Sequence, residues 1–226
     1  MIEIIPAIMP QDLSHLREEA RQVVKKVATV QLDLMDGVFV PARTWPFPNV
    51  KKGVEETIKD GLPFWRELNY ELDLMVKNAS GKIDDWLSFS PSRLIFHIEA
   101  EDNFDIKKIR ERVGEVVEIG LAINTTTPIE KIEPFIKDIN FVQCMGIGRI
   151  GYQGEPSDTR VFNQISSLKS KYPDLIISVD GGVNLETAKK LTEAGVSRLV
   201  IGSAIFGSEN IHKTISDFRS IIMVKS

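Results

Sequence analysis

The sequence predicts a (β/α)8 TIM barrel, and three observations carry that expectation. Short apolar runs alternate with amphipathic, charged stretches from one end of the chain to the other. Eight such runs fit within 226 residues, the size of a compact barrel of this class. No G-x-G-x-x-G follows the first run, which disfavours the runner-up, an open doubly wound sheet. No linker or low-complexity tract interrupts the alternation, so a single domain over residues 1–226 is expected.

The elements follow in order. A strand is expected at Glu3–Ile8 and a helix at Asp12–Lys25. A strand at Thr29–Met35 precedes a helix at Asn49–Lys59. Strands at Asn69–Val76 and Arg93–Phe96 lead to a helix at Asp105–Arg112. The strand Glu118–Ile123 is paired with a helix at Thr127–Lys137, and Asn140–Met145 with one at Asp158–Lys169. Leu175–Asp180 precedes the helix Leu185–Glu193, and Arg198–Gly202 precedes Ile211–Ile221. Strands that alternate with helices in this way build a parallel sheet covered by helices.

Side chains alternate between the two faces of a strand, and this locates polar groups on the barrel axis. In Gln31-Leu32-Asp33-Leu34-Met35, Gln31, Asp33 and Met35 share one face, while Leu32 and Leu34 meet the helical layer. Glu71-Leu72-Asp73-Leu74-Met75 repeats the pattern, with Glu71 inward below Asp73. Ser178 and Asp180 point inward on the seventh strand. Barrel interiors are normally filled by Val, Ile and Leu, so carboxylates near strand ends belong at the C-terminal mouth. Asp33, Asp73 and Asp180 should therefore converge on one site.

Glycines mark the loops around that mouth. Gly181 and Gly182 follow the seventh strand, and Gly202 and Ser203 follow the eighth. Backbone N–H groups approach an anion closely there, and helix N-termini add favourable charge. These two loops are the recurrent phosphate site of the barrel. A third glycine-bearing loop, with Gly151 and Gly154, follows the sixth strand, and its Arg149 is either a phosphate contact or a solvated cation. A tight βα turn would also use glycine, but three such loops together point to a small phosphorylated ligand.

Hydrophobic residues make up 42% of the chain and charged residues 27%, with a net charge of -4. A nucleic-acid partner would call for a basic patch, which this balance does not offer. No apolar run reaches the roughly 18 residues of a membrane span. The single Cys144 cannot pair within the chain, which favours a reducing compartment. The first residues, Met1 to Pro6, lack the basic and apolar regions of a secretion signal. A cytoplasmic location is expected.

The motifs, taken in order, resemble the ribulose-phosphate 3-epimerase family over nearly the whole chain. Pro6-Ala7-Ile8-Met9 is similar to its opening motif, and Leu32-Asp33-Leu34-Met35-Asp36-Gly37-Val38-Phe39-Val40-Pro41 to its most specific one. Leu72 to Val76, His97 to Ala100, Ser178 to Gly182 and Gly202 to Phe206 follow in register. The resemblance implies inversion of C3 of a ketose phosphate through an enediolate, with Asp33 and Asp180 as the acid/base pair. It also implies that Ala7, Met35, Met75, His97 and Met145 lie at the substrate, and that the chain forms a homo-oligomer. For His97, structural support or substrate orientation is expected rather than metal ligation. His15 and His212 fall in helix candidates and read as surface residues.

The departures concern the metal. The family's ligands are two histidines and two aspartates, and Gln31 and Asp73 stand at the histidine positions. The implied ligand set becomes Gln31, Asp33, Asp73 and Asp180, all oxygen donors, which suits magnesium or manganese better than zinc. Without a cation, clustered carboxylates repel, so at least one should hold a proton, and a protonated Asp73 could then donate to the enediolate. The loop after the sixth strand is also rewritten, as Ile150-Gly151-Tyr152-Gln153-Gly154-Glu155. Asp36 is expected to hold a turn with Gly37, and residues 42–48 form a candidate lid. Three readings stay open: a 3-epimerase, another isomerase or lyase of sugar phosphates, and a non-catalytic sugar-phosphate binder.

Overall fold

Eight parallel strands close into a barrel in sequence order, each hydrogen-bonded to the next and β1 to β8. They are β1 (Glu3–Ile8), β2 (Thr29–Met35), β3 (Asn69–Met75), β4 (Arg93–His97), β5 (Glu118–Ile123), β6 (Phe141–Met145), β7 (Ile176–Asp180) and β8 (Arg198–Ile201). Residues 2–47 and 61–223 are described in this computed structural model. The helix expected at Asn49–Lys59 lies outside the described residues. None of the described helices is long and apolar enough to cross a membrane.

Helices cover the outside: α1 (Leu13–Val23), α2 (Ile83–Leu87), α3 (Ile106–Val113), α4 (Arg160–Lys171), α5 (Leu185–Glu193), α6 (Ser203–Phe206) and α7 (Ile211–Met223). Local chemistry starts several of them. Asp12 accepts from the backbone N–H of His15 at 2.8 Å, capping α1. Asn184 caps α5 through a reciprocal box with Thr187. The helix expected at Thr127–Lys137 is replaced by two 3-10 turns, Ile129–Lys131 and Glu133–Phe135. Pro134 explains the difference, since it removes a backbone donor and crowds the preceding turn of an α-helix.

Between barrel and helices lies one apolar layer. Leu32, Leu34, Leu72, Leu74, Leu94 and Phe96 face outward and pack with Leu16, Ala20, Ile165, Leu191 and Phe218. At roughly 25 cal/mol per Å2 of apolar surface removed from water, this layer supplies most of the drive for folding. The outward face of the strands is apolar throughout this layer, while the inward face mixes apolar residues such as Ile5, Ile95 and Phe141 with polar ones.

The inward face is unusually polar. At its N-terminal end, Arg93 reaches Glu71 at 2.8 Å, Glu3 at 2.9 Å and Glu118 at 3.3 Å. Arg198 reaches Glu118 at 2.8 Å and lies 4.5 Å over the Phe141 ring. Glu71, inward below Asp73 as its strand position predicts, therefore has a guanidinium partner. Burial still pushes its carboxyl up to about 7, with Arg93 opposing the rise. Above these ion pairs, Phe141 fills the axis beside Gly120, where a Cβ would sit 2.4 Å from its ring.

Candidate active site

At the opposite, C-terminal end of the barrel, β2, β3 and β7 each deliver one aspartate. The register pairs Asp33 with Asp73 directly across β2 and β3. Asp33, Asp73 and Asp180 each offer a carboxylate oxygen, and these oxygens all lie within 4.8 Å of one another. All three side chains are buried. The convergence read from strand alternation is what the fold produces.

Two amides and an imidazole hold the cluster. Gln31 Nε2 donates to Asp33 Oδ1 at 2.8 Å and to Asp180 Oδ2 at 2.9 Å. His97 Nε2 lies 2.8 Å from Asp73 Oδ1, and Gln143 Nε2 donates to Asp73 Oδ2 at 3.3 Å. Thr44 Oγ1 donates to the Asp33 carbonyl at 2.6 Å and accepts from the Met35 N–H, tying down the end of β2. Gln143 and Thr44 were not foreseen. Alternation along Phe141-Val142-Gln143-Cys144-Met145 carries the signal for Gln143, whereas nothing local marks Thr44.

Electrostatics follows from the burial. Desolvation raises the Asp33 carboxyl well above its usual range, and the Asp180 and Asp73 charges add to the rise. Asp180 is pushed up to about 7, by burial first and by Asp73 second, while Gln31 and His97 oppose the shift. For His97 burial favours the neutral ring, yet contact with Asp73 leaves its pKa raised. A cluster of this kind takes up either protons or a cation. Three carboxylate oxygens at this spacing are a hard donor set of suitable size for a divalent ion. Asp33, Asp73 and Asp180 could therefore bind a metal.

A cavity of about 350 Å3 opens above the aspartates. Asp33 and Asp180 line it, together with Ala7, Met35, Met75 and Met145. Its far wall is built from Gly151, Gly154, Gly181, Gly182, Gly202 and Ser203. Gly182 has φ +66°, and a Cβ there would fall 2.7 Å from Ser157 Cα, so only glycine fits. Most of the expected substrate residues thus surround one space. Tyr152, Gln153, Glu155 and Asn184 also line it and were not foreseen as site residues.

Other expected residues lie outside the cavity wall. His97 is fully buried and is not among the cavity-lining residues; Asp73 and the Phe39 ring, 5.3 Å away, enclose it. Gln31 and Asp73 are likewise fully buried behind Asp33 and Asp180. Arg149, for which a phosphate contact and a solvated cation were both open, is exposed, pairs with Glu155 at 2.6 Å, lies 4.8 Å over the Tyr152 ring and is not among the cavity-lining residues. Residues 42–47 line no part of the cavity. Trp45 is buried against Phe89, so this part of the segment packs along the side of the barrel. Pro48 lies outside the described residues. Asp36 holds its turn as expected, accepting from the Val38 N–H at 2.8 Å.

Comparison with known proteins now adds to the geometry. The profile of the Ribulose-phosphate 3 epimerase family matches residues 3–206. A ribulose-phosphate 3-epimerase of Bacillus subtilis is 31% identical, with 97% of this chain and 99% of the relative covered. One from Methanocaldococcus jannaschii is also 31% identical, covering 97% of this chain and 90% of its own length. Among solved structures, a ligand complex of KGPDC from Streptococcus mutans superposes with TM-score 0.70 at 15% identity, covering 98% of this chain and 97% of its own. A 3-hexulose-6-phosphate synthase superposes with TM-score 0.68 at 15% identity, covering 98% of this chain and all of its own. At that identity these structures speak for the barrel alone.

Proposed function

The chain belongs to the ribulose-phosphate 3-epimerase family, and from that premise we propose that it inverts C3 of a ketose phosphate with Asp33 and Asp180 as the proton-transferring pair. One observation carries the proposal. Two carboxylates from β2 and β7 form the floor of a cavity whose wall is a set of glycine loops. A sugar phosphate held by its phosphate at Gly181, Gly182, Gly202 and Ser203 would lay its carbon chain across that floor.

The chemistry then assigns itself to residues. One aspartate, as the carboxylate, takes the C3 proton, and the electron pair moves onto the C2 carbonyl to give an enediolate. The other, carrying a proton, delivers it to the opposite face of C3. Carboxyls raised toward neutrality suit both tasks, because a general acid and a general base work best near the ambient pH. The methionines Met35, Met75 and Met145 exclude water from C3 while adapting to either epimer. Asp33, Asp73 and Asp180 would hold a divalent cation, which would supply positive charge to stabilise the enediolate. The all-oxygen donors favour magnesium or manganese over zinc. The enzyme works in the cytoplasm in this reading, on a small sugar phosphate and without nucleic acid or membrane.

Proton NMR of ribulose 5-phosphate in deuterated buffer tests the proposal. Loss of the C3 proton signal, with xylulose 5-phosphate appearing, is expected. Saturable binding without C3 exchange would overturn it in favour of a non-catalytic binder.

A further inference from the structure

The geometry points to Gln31 as a positioning residue that holds the two proton-transferring aspartates in register with one amide group. The inference rests on the roles proposed for Asp33 and Asp180.

The amide of Gln31 uses both of its hydrogens on this pair. One goes to Asp33 Oδ1 at 2.8 Å and the other to Asp180 Oδ2 at 2.9 Å. Its own Oε1 is buried and has no partner among the described residues. Gln31 therefore faces the carboxylates as a donor, and the amide would have to turn over to offer its oxygen to a cation. The donor is anchored, since the side chain is fully buried and its backbone is paired on both sides, with Ala7 on β1 and Glu71 on β3.

The bridge acts on two groups that would otherwise push apart. Asp33 and Asp180 come from strands separated by β1 and β8 on one side of the ring, and no other described side chain donates to both. Gln143 reaches Asp180 too, but at 3.5 Å, and its remaining contact is to Asp73. Pinning Oδ1 of Asp33 and Oδ2 of Asp180 leaves the second oxygen of each without a hydrogen-bond partner among the described residues. Neither is a buried orphan, and both residues line the cavity. The amide thus aims one free carboxylate oxygen from β2 and one from β7 at the substrate space. Inversion needs both at once, whereas proton exchange needs only one.

That asymmetry supplies the test. Gln31→Met keeps the length and volume of the side chain and removes both donors. Full-length wild type and Gln31→Met are compared with ribulose 5-phosphate in deuterated buffer, by following C3 exchange and epimer formation together. Inorganic phosphate binding and thermal melting serve as checks on the fold. The expected variant binds phosphate like wild type and keeps its KM. Its kcat falls about 100-fold, the cost of a misplaced reacting group, and its ratio of exchange to epimer formation rises. Should Gln31→Met not fold, Gln31→Leu takes its place, as a smaller apolar side chain that also lacks both donors, with the same expected readout. A wild-type exchange ratio in the variant, or equal losses in phosphate affinity and kcat, would overturn the positioning role. A wild type that neither exchanges nor epimerises would sink the underlying assignment, an outcome visible before any variant is made.

Discussion

Each end of this barrel directs three carboxylates toward its axis, and the two ends treat them in opposite ways. At the N-terminal end Glu3, Glu71 and Glu118 surround Arg93 and Arg198, so that each acid lies within 4.0 Å of a guanidinium nitrogen. At the C-terminal end Asp33, Asp73 and Asp180 meet two glutamine amides and one imidazole. No lysine or arginine side chain among the described residues lines the cavity there. The C-terminal end buries all three of its acids, whereas the N-terminal end buries Glu71 and leaves Glu3 and Glu118 partly exposed. Only the N-terminal end supplies fixed positive charge with them, and the cavity described above opens at the other. Compensated charge braces one end of the barrel, and uncompensated charge is left at the end where the proposed reaction calls for groups that take and release protons.

The sharpest way to break the contrast is to remove a carboxylate from the open end. Asp180→Asn should lower kcat about 1,000-fold, or by about 4 kcal/mol of transition-state stabilisation. Its melting temperature should stay level or rise, because one of three mutually repelling carboxyls is gone and an amide oxygen can still accept from Gln31. A drop in stability of the same size as the drop in activity would show that the cluster is structural after all.

The complementary change acts at the closed end. Arg93→Met leaves Glu71 buried without its guanidinium, and breaking a buried pair from one side costs about 3 kcal/mol or more. Urea unfolding should show that loss in full, while the KM for ribulose 5-phosphate stays that of wild type in the folded protein. A variant as stable as wild type would mean that Arg198 alone serves all three glutamates. Together the two substitutions separate an end that holds the fold from an end that uses it.

Much of this contrast can be read in the strands and little of it in the loops. β1, β2 and β5 have the bounds that apolar runs and alternation predict, and the inward placement of Gln31, Asp33, Asp73 and Asp180 follows from period two alone. The same rule puts Arg93 on the face of Ile95 and His97, and so could have named the partner of Glu71. It cannot say that Arg198, five strands after Glu71, closes the same network, because that depends on ring closure. Loops depend on still less local information. Trp45 turns inward against Phe89, a residue more than forty positions away, and Arg149 turns outward onto Glu155 and Tyr152 of its own loop. Pro134 was a visible signal against a helix at Thr127–Lys137, overridden by an otherwise amphipathic pattern.

The smallest expected effect is also the one that separates the two ends by their response to a cation. Asp180 has its carboxyl pushed from 3.8 to about 7, and Glu71 from 4.5 to about 7, by burial in both cases. A carboxyl raised on folding binds its proton more tightly in the native state. Its contribution to stability is therefore fully present below the unfolded value and is lost as pH climbs through about 7. In buffer free of divalent ions, the urea midpoint should fall between pH 5 and pH 8. Asp180→Asn and Glu71→Gln should each remove part of that fall. Manganese added at pH 8 should then restore stability to wild type and to Glu71→Gln but not to Asp180→Asn, since only the open end has carboxylates free to take it. Equal restoration in all three would place the cation elsewhere, and no restoration in any would leave protons as the only charge the open end accepts.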